Sequence, residues 1–588
     1  MKKRNKLLGI LLFSAILLYA LTKDFTPTVE TVYVNGNILT LGANNATATA
    51  MHVKNGVIQQ IGAVAEMDFS AGEPRYVDLK GATVLPGFID SHSHVALSSF
   101  TYDMVDLSGF THRSNAAVWE ALKVAVQNTP KGEWIIGKGI DIVLVPDLVL
   151  PTLQFLDAIA PDNPVMLISQ SLHSYWGNTA AFTAAGITKE SDTKVSTSYY
   201  EKDAAGNLSG GIVEQLAFLP FLAVLNKDAT TPKKLTKATT AVFKTYAALG
   251  NTTVVSAGIT INDAKPLRLY EHVSSNRTSF VNQLLSVGGL LPKRTPMPRH
   301  FMFVRHDRAF LFPTQTAAPN DFYGIIGVKH WYDGSPYTGS MYLESPYEAT
   351  AFSKEKLHVN PGHTGKALIE AQALKEFIST YTKKGWQIAI HTQGDQAIKE
   401  VLAAYENLSE EFDFSSARNR LEHCLLATTA SIHQMKKLGI TPSYHINHLL
   451  YYGDVLETEM LSSSRVNRML PLKSTLDAGV KFTLHADQPM FDSHPFRLIQ
   501  TAVERKTTAN NTIGAHERIP LLAALKSMTI HAAWQIHKED KIGSLEKGKL
   551  ADFIVVDANP FDVAVEKIGD IQVLQTFVHG NEVLFKKE

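Results

Sequence analysis

An α/β chain organised as a (β/α)8 barrel is the fold class this sequence predicts, and three observations predict it. Apolar, strand-like runs alternate with segments of helical period through the middle of the chain, the pattern of βα units around a parallel sheet. Ligand-type residues stand late in those runs: His92 and His94 in VLPGFIDSHSHV, Lys329 in YGIIGVKHWYDGS, His391 in GWQIAIHTQGD, His423 in RNRLEHCLL and Asp487 in GVKFTLHADQP. In a barrel the strand ends converge on one face, so residues far apart in sequence meet there. The chain ends, by contrast, are rich in short alternating strands, which leaves the long middle as one domain inserted into another.

Residues 1–25 open the chain differently. Lys2, Lys3, Arg4 and Lys6 precede an apolar run from Leu7 to Leu21, the layout of a secretory signal. The run is shorter than the ~20 residues that usually span a bilayer, and no small-x-small cleavage site follows it, since Leu18 stands two positions before Ala20. A signal peptide and an uncleaved N-terminal anchor both fit. The expected location is exported, periplasmic or extracellular, with membrane contact only through this segment.

From 28 to 84 the stretches TVYVNGNILTL, ATAMHVKNGVIQQIGA and ATVLPG read as strands, and the pairs Asn35-Gly36 and Asn55-Gly56 predict hairpins because both residue types tolerate positive φ. Residues 541–588 repeat the style in GKLADFIVVD and IQVLQTFVHGNEVLF. These two parts are expected to form one small β-sandwich, with the barrel occupying 85–540.

Composition narrows the function. Apolar residues make up 45% of the 588 and charged residues 19%, ordinary for a folded enzyme. Lys plus Arg equals Asp plus Glu, 56 each, so no net charge draws nucleic acid or an anionic membrane. Cys424 is the single cysteine, which excludes an intramolecular disulfide and a cysteine-based metal cage. It is expected as a buried free thiol.

Within the barrel, the first strand sets the theme. Side chains alternate along a strand, so Asp90, His92 and His94 share a face and two imidazoles converge, with Asp90 expected to support them. Imidazole is the commonest protein ligand for zinc. Further on, Lys329, Trp331 and Asp333 share a face of their strand. The segment after His391 places Ile398, Val401, Leu402 and Tyr405 at helical spacing. A helical run also follows His423 through Met435, and His485 lies one layer below Asp487.

Taken in order, PGFIDSHSH, GVKHWYDGS, HTQGDQAIKEVL, RNRLEHC, DAGVKFTLHADQPM and GSLEKGKLADFIVVD resemble the metal-dependent amidohydrolase superfamily, in the branch of the N-substituted formamide deformylases and YtcJ-like proteins. The similarity spans nearly the whole chain. PDNPVMLISQSLHSYWGNTAAF is similar to that branch's inserted region, implying a subdomain at about 100–240 after the first barrel strand.

The resemblance implies a metal site in which His92 and His94 hold one ion, His391 and His423 a second, and Asp487 both a metal and the reacting water. Lys329 matches a lysine that is carboxylated in dinuclear members, so carbon dioxide enters as a lysine carbamate if two ions are bound; without it one ion is expected. Zinc is the expected metal. Asp487 is the expected catalytic group, taking a proton from water and returning it to the leaving nitrogen. His173, Trp176, Asp333 and His445 are the expected substrate contacts.

Three departures stand out: Leu172 precedes His173 where glycine is usual, His445 and Ile446 replace a Gln-Pro pair, and Ala486 replaces a serine. His52, His433 and His537 read as ordinary residues. The implied partner is a small-molecule substrate, with no nucleic acid and a homodimer left open. Hydrolysis of an amide, N-formyl or cyclic amide C–N bond leads, ahead of ester, lactone or deaminase chemistry on the same site. A non-catalytic regulatory protein on this scaffold is a third reading, and retention of every ligand-type residue argues against it.

Overall fold

A computed structural model describes residues 14, 30–67, 74–194, 198–229, 232–259, 261, 263–274, 280–292, 294–313, 320–357 and 359–584. The basic and apolar opening segment, with the export expectation it carries, lies outside them apart from residue 14. Among the described residues no helix is long and apolar enough to cross a membrane.

Eight strands form the central sheet: β1 (Phe88–Ser93), β2 (Asn251–Ile259), β3 (Arg299–Arg305), β4 (Tyr323–Trp331), β5 (Gln387–Thr392), β6 (Arg420–His423), β7 (Thr441–Tyr444) and β8 (Thr483–Leu484). Each pairs in parallel with the next. The seam between β1 and β8 is bridged by side chains, Ser91 Oγ donating to Thr483 Oγ1 at 3.0 Å, so the sheet is nearly closed into a barrel.

Helices follow the strands as the apolar periods predict. Asp395–Leu408 buries Ile398, Val401, Leu402 and Tyr405, and Thr429–Leu438 buries Ile432 and Met435. These faces pack on the outside of the strands in one large core with Ile388, Ile390 and Leu421. Burying such side chains stabilises each by about 1.5–3 kcal/mol, which makes this layer the main support for the strand ends.

Between β1 and β2 the chain builds a second, six-stranded sheet from Val105–Asp106, Ile135–Ile140, Val165–Ser169, Ser174–Gly177, Leu208–Val213 and Tyr199–Lys202. The chain ends make two further sheets. One joins Asn37–Leu39, Thr47–Ala48 and Thr83–Pro86 to Phe553–Val556, Val573–Val578 and Asn581–Glu582, so both ends meet in it. The other is formed by Glu30–Val34, Ala50–Lys54, Val57–Gly62 and Arg75–Asp78, and the two share an apolar cluster that includes Tyr33, Met51, Phe553 and Phe577.

The two Asn-Gly pairs differ in what they do. Asn55 and Gly56, at φ of 54° and 74°, close a true antiparallel hairpin between Ala50–Lys54 and Val57–Gly62. Asn35, at φ 55°, instead passes the chain from one sheet to the other, because the strands flanking it belong to different sheets. Positive φ is common to both, and the pairing partner is what decides between hairpin and crossover.

Candidate metal centre and active site

At the C-terminal mouth of the barrel His92, on β1, is held from behind. Its Nδ1 bonds the Glu422 carboxylate, and Arg420 donates to that carboxylate through Nε at 2.7 Å and Nη2 at 2.9 Å. All three residues are buried. Arg420 and Glu422 are two apart on β6 and so share a face, as His92 and Asp90 do on β1. With its Nδ1 hydrogen on Glu422, His92 presents Nε2 as a bare lone pair.

That lone pair lies 3.4 Å from Asp487 Oδ1, and His94 Nε2 approaches the same oxygen to 2.9 Å. Oδ1 still has no well-directed hydrogen bond among the described residues. A nitrogen lone pair and a carboxylate oxygen repel at that distance unless a proton or cation lies between them. The two histidine nitrogens and the carboxylate oxygen all lie within 4.8 Å of one another. The donor set suits a divalent ion of the zinc type.

The remaining imidazoles stack behind this point. His423, the last residue of β6, has its ring 4.4 Å from His391 and 5.6 Å from His445, and its Nδ1 lies 3.2 Å from His485 Nε2. His485 stacks on His92 at 4.5 Å and bonds Ser443 Oγ at 2.9 Å. His391 Nε2 is 3.4 Å from the Gly334 carbonyl and 3.7 Å from Asp333. Burial pushes His391 down to about 3 and His445 to about 4, and holds His92, His423 and His485 well below the usual range. Neutral imidazole is the form that binds cations.

Asp487 responds in the opposite sense to its burial. Desolvation favours its neutral form, but positive charge placed where His92 and His94 face it outweighs this and holds the carboxyl well below the ordinary range. The backbone also contributes, since His423 and Asp487 adopt left-handed φ of 71° and 58°. Such a conformation costs roughly 1–3 kcal/mol per residue and persists where the surroundings over-determine it.

Lys329 reaches the same interior from β4. It is fully buried, its Nζ has no hydrogen-bond partner among the described residues, and it lies 5.2 Å from the Trp331 ring. Burial lowers its ammonium to about 8, against the attraction of Glu422 and Asp487. Room for it comes from Gly258 on β2, where φ is +106° and a Cβ would stand 3.0 Å from Lys329 Cγ.

The expected substrate contacts fare unevenly. His173 Nδ1 is 3.0 Å from Glu214 Oε2 at the edge of the inserted sheet; burial works against its cation, yet the Glu214 bond and charge together raise it. His445 is buried beside His423 and His448. Trp176 instead packs into the inserted sheet's own core with Leu107, Val118 and Leu167, because strand alternation turns it away from the face that Tyr175 occupies. Asp333 is also a scaffold residue in this structure. Its carboxylate accepts main-chain N–H groups of Gln393, Gly394 and Tyr342 at 2.9–3.1 Å, fixing the turn after β5, and burial raises it to about 7.

The support expected from Asp90 comes from Glu422. Asp90 accepts the His92 main-chain N–H, at 3.2 Å, rather than a hydrogen from its ring. Sequence reasoning missed Glu422 and Arg420, although a charged pair at i and i+2 in the apolar strand RLEH was the available signal. Cys424 is a free buried thiol.

A cleft of about 560 Å³ opens between the inserted sheet and the loops after β7 and β8, lined by Phe110, Lys138, Leu172, Asn447, Tyr451 and Phe491. Phe491, on the wall of the cleft, also packs 5.3 Å from His445, so its ring stands between the cleft and the histidine cluster.

Comparison with known proteins matches residues 75–584 to the model of an amidohydrolase family. The N-substituted formamide deformylase of Arthrobacter pascens is 28% identical over 94% of this chain and 97% of its own length. Protein LONG AFTER FAR-RED 3 of Arabidopsis thaliana is 26% identical over 96% of this chain and 94% of its own. Among solved structures, an uncharacterised metal-dependent hydrolase from Pyrococcus horikoshii superposes with a TM-score of 0.68 at 21% identity, over 91% of this chain and 99% of that one.

Proposed function

Because the chain belongs to the amidohydrolase family and is a hydrolase of that metal-dependent superfamily, we propose that it cleaves the C–N bond of a small amide, N-acyl, N-formyl or cyclic. One observation carries the reading: His92 Nε2, His94 Nε2 and Asp487 Oδ1 all lie within 4.8 Å of one another, and that oxygen has no well-directed hydrogen bond among the described residues. The deformylase relative supports the choice of bond.

His92, His94 and Asp487 would hold one divalent ion, zinc being the expected one, and His391, His423 and a carbamate on Lys329 would hold a second. A divalent ion bound there makes water acidic enough to deprotonate near neutral pH and polarises a carbonyl. Asp487 accepts the proton as the water attacks and delivers it to the nitrogen that leaves, the base-then-acid sequence of a carboxylate kept ionised by its neighbours. Glu422 keeps the His92 lone pair aimed inward. The cleft beside Phe491 supports a pocket for the substrate's nitrogen substituent.

The same proposal takes 28–84 with 541–588 as one β-rich domain, 85–540 as the hydrolase domain, and the mature enzyme as acting outside the cytoplasm. The basic and apolar opening segment supports the last point.

The test is a screen of purified protein, with added zinc or manganese, against N-formyl, N-acyl, lactone and aminopurine substrates. Amine release from one or more amides is the expected result. Turnover confined to lactones or aminopurines would overturn the assignment.

A further inference from the structure

The histidine cluster holds more imidazole than the proposed reaction uses. His423 ends β6, while His445 and His448 follow β7. All three are buried, and one ring nitrogen of each lies within 4.8 Å of the others. His445 is the most telling member. Both of its ring nitrogens are buried without a hydrogen-bond partner among the described residues, an arrangement that a folded interior seldom tolerates unless something else binds there.

His448 is already oriented: its Nδ1 lies 2.5 Å from the Tyr337 hydroxyl, the kind of outer contact that fixes the ring and tautomer of a ligating histidine. Its Nε2 lies 3.2 Å from the Gln393 amide nitrogen, a donor that must give way before that lone pair meets an ion, and the amide oxygen of Gln393 is itself buried with no hydrogen-bond partner among the described residues. We infer that His423, His445 and His448 form a second cation position, made of three imidazoles, beside the position of His92, His94 and Asp487. The inference rests on the proposed reading of that first position. Because His423 can serve only one ion, this position is the alternative to the one His423 would share with His391 and a carbamate on Lys329; three imidazoles with an open fourth place are themselves a complete protein set for a divalent ion.

Three neutral nitrogen donors select zinc, cobalt, nickel or copper over magnesium, calcium or manganese, which prefer oxygen. A tetrahedral zinc site with Zn–N bonds near 2.0–2.1 Å has nitrogens about 3.3 Å apart, so separations of up to 4.8 Å require the rings to close on the ion. His445, whose ring nitrogens have no well-directed hydrogen bond among the described residues, is the ring least tied by hydrogen bonds against such a shift.

The test is metal titration of the chelator-stripped full-length enzyme with cobalt and with zinc, read by native mass spectrometry and by the visible spectrum of cobalt. The wild type should take two ions per chain, and the His445→Gln/His448→Gln double variant one, with loss of one set of tetrahedral cobalt bands and circular dichroism unchanged. Two ions bound at wild-type affinity in the double variant overturns the inference, and so does loss of both. If the double variant does not fold, Tyr337→Phe replaces it: the second ion should weaken by about 10-fold or more, and an unchanged affinity overturns the inference. A wild type that binds one ion and still hydrolyses amides removes this inference alone, whereas one that binds none removes the functional reading with it.

Discussion

Replacing Glu422 with glutamine probes the support of the proposed metal centre at its most tightly bonded point. The carboxylate serves Arg420 Nε at 2.7 Å, Arg420 Nη2 at 2.9 Å and His92 Nδ1. A carboxylate offers about four lone-pair sites and satisfies all of these donors. A carboxamide has one acceptor oxygen and two hydrogens, so either Arg420 or His92 meets a donor instead of an acceptor. If the oxygen stays on Arg420, His92 turns to the other tautomer, its Nε2 gains the hydrogen, and the lone pair aimed at the ion is gone. Loss of such an outer partner weakens metal binding about 10–100-fold, or about 1.4–2.7 kcal/mol.

The fold bears a second cost in the same variant. Arg420 is wholly buried, and its Nη2 also donates to the Ser91 carbonyl at 2.9 Å. Breaking a buried pair costs about 3–5 kcal/mol, and the isosteric change should fall at the low end. With an unfolding entropy of about 2.1 cal/mol/K per residue over a barrel of about 450 residues, that is a fall in Tm of about 3 °C. Competition against a chromophoric chelator measures the first effect and a thermal melt of the metal-free protein the second. Glu422→Asp, which keeps the charge, should recover more of the Tm than of the metal affinity. Wild-type metal affinity in Glu422→Gln would refute the tautomer argument outright.

Five further outcomes are expected. Asp487→Asn keeps a ligand-sized oxygen but no proton acceptor, so turnover of the identified substrate should fall about 10²-fold or more in steady-state assays, and near-wild-type turnover would remove its catalytic role. With 13C-bicarbonate, the wild type should show a carbamate resonance that Lys329→Ala lacks; because the neutral amine is the reactive form, the signal should grow as pH rises toward about 8. Short carboxylic acids should partly restore Lys329→Ala activity but not Lys329→Arg, whose guanidinium stays charged. Asp552→Ala strands the buried Arg299, which the carboxylate holds at 2.6 and 2.7 Å, and should cost about 3–5 kcal/mol in denaturant unfolding. A fusion of residues 1–30 to a reporter active only after export should be active, and a reporter held in the cytoplasm would contradict export.

How much of the molecule could be read in advance depended on how local the governing physics was. The (β/α) alternation was legible because side-chain period is a local property, and Ile398, Val401, Leu402 and Tyr405 are buried together as their spacing required. His92, His94, His391, His423 and Asp487 were legible because each follows or ends an apolar run, which puts all of them at one mouth. Asn35-Gly36 misled because positive φ specifies a turn without specifying the strand that comes next. Trp176 misled for a similar reason: proximity in sequence to His173 says nothing about which sheet face it takes, and alternation sends it into the inserted sheet's core.

What the sequence concealed is the shell behind the histidines. Glu422 and Arg420 would ordinarily be read as solvent-facing, since buried charges are costly unless paired; their burial follows only from closing the barrel, which brings β6 against His92 on β1. Rules of local structure assume that polar groups are satisfied and that backbones are relaxed. At this mouth the assumption fails repeatedly: Lys329 Nζ, both His445 nitrogens and Asp487 Oδ1 lack directed hydrogen bonds among the described residues, and His423 and Asp487 hold left-handed backbones. Each of these is unfavourable in the protein alone, and they are gathered where strands from around the barrel meet. A fold can keep such a concentration of unmet polar groups when a bound cation offsets it, which is why the breakdown of the local rules coincides with the proposed centre.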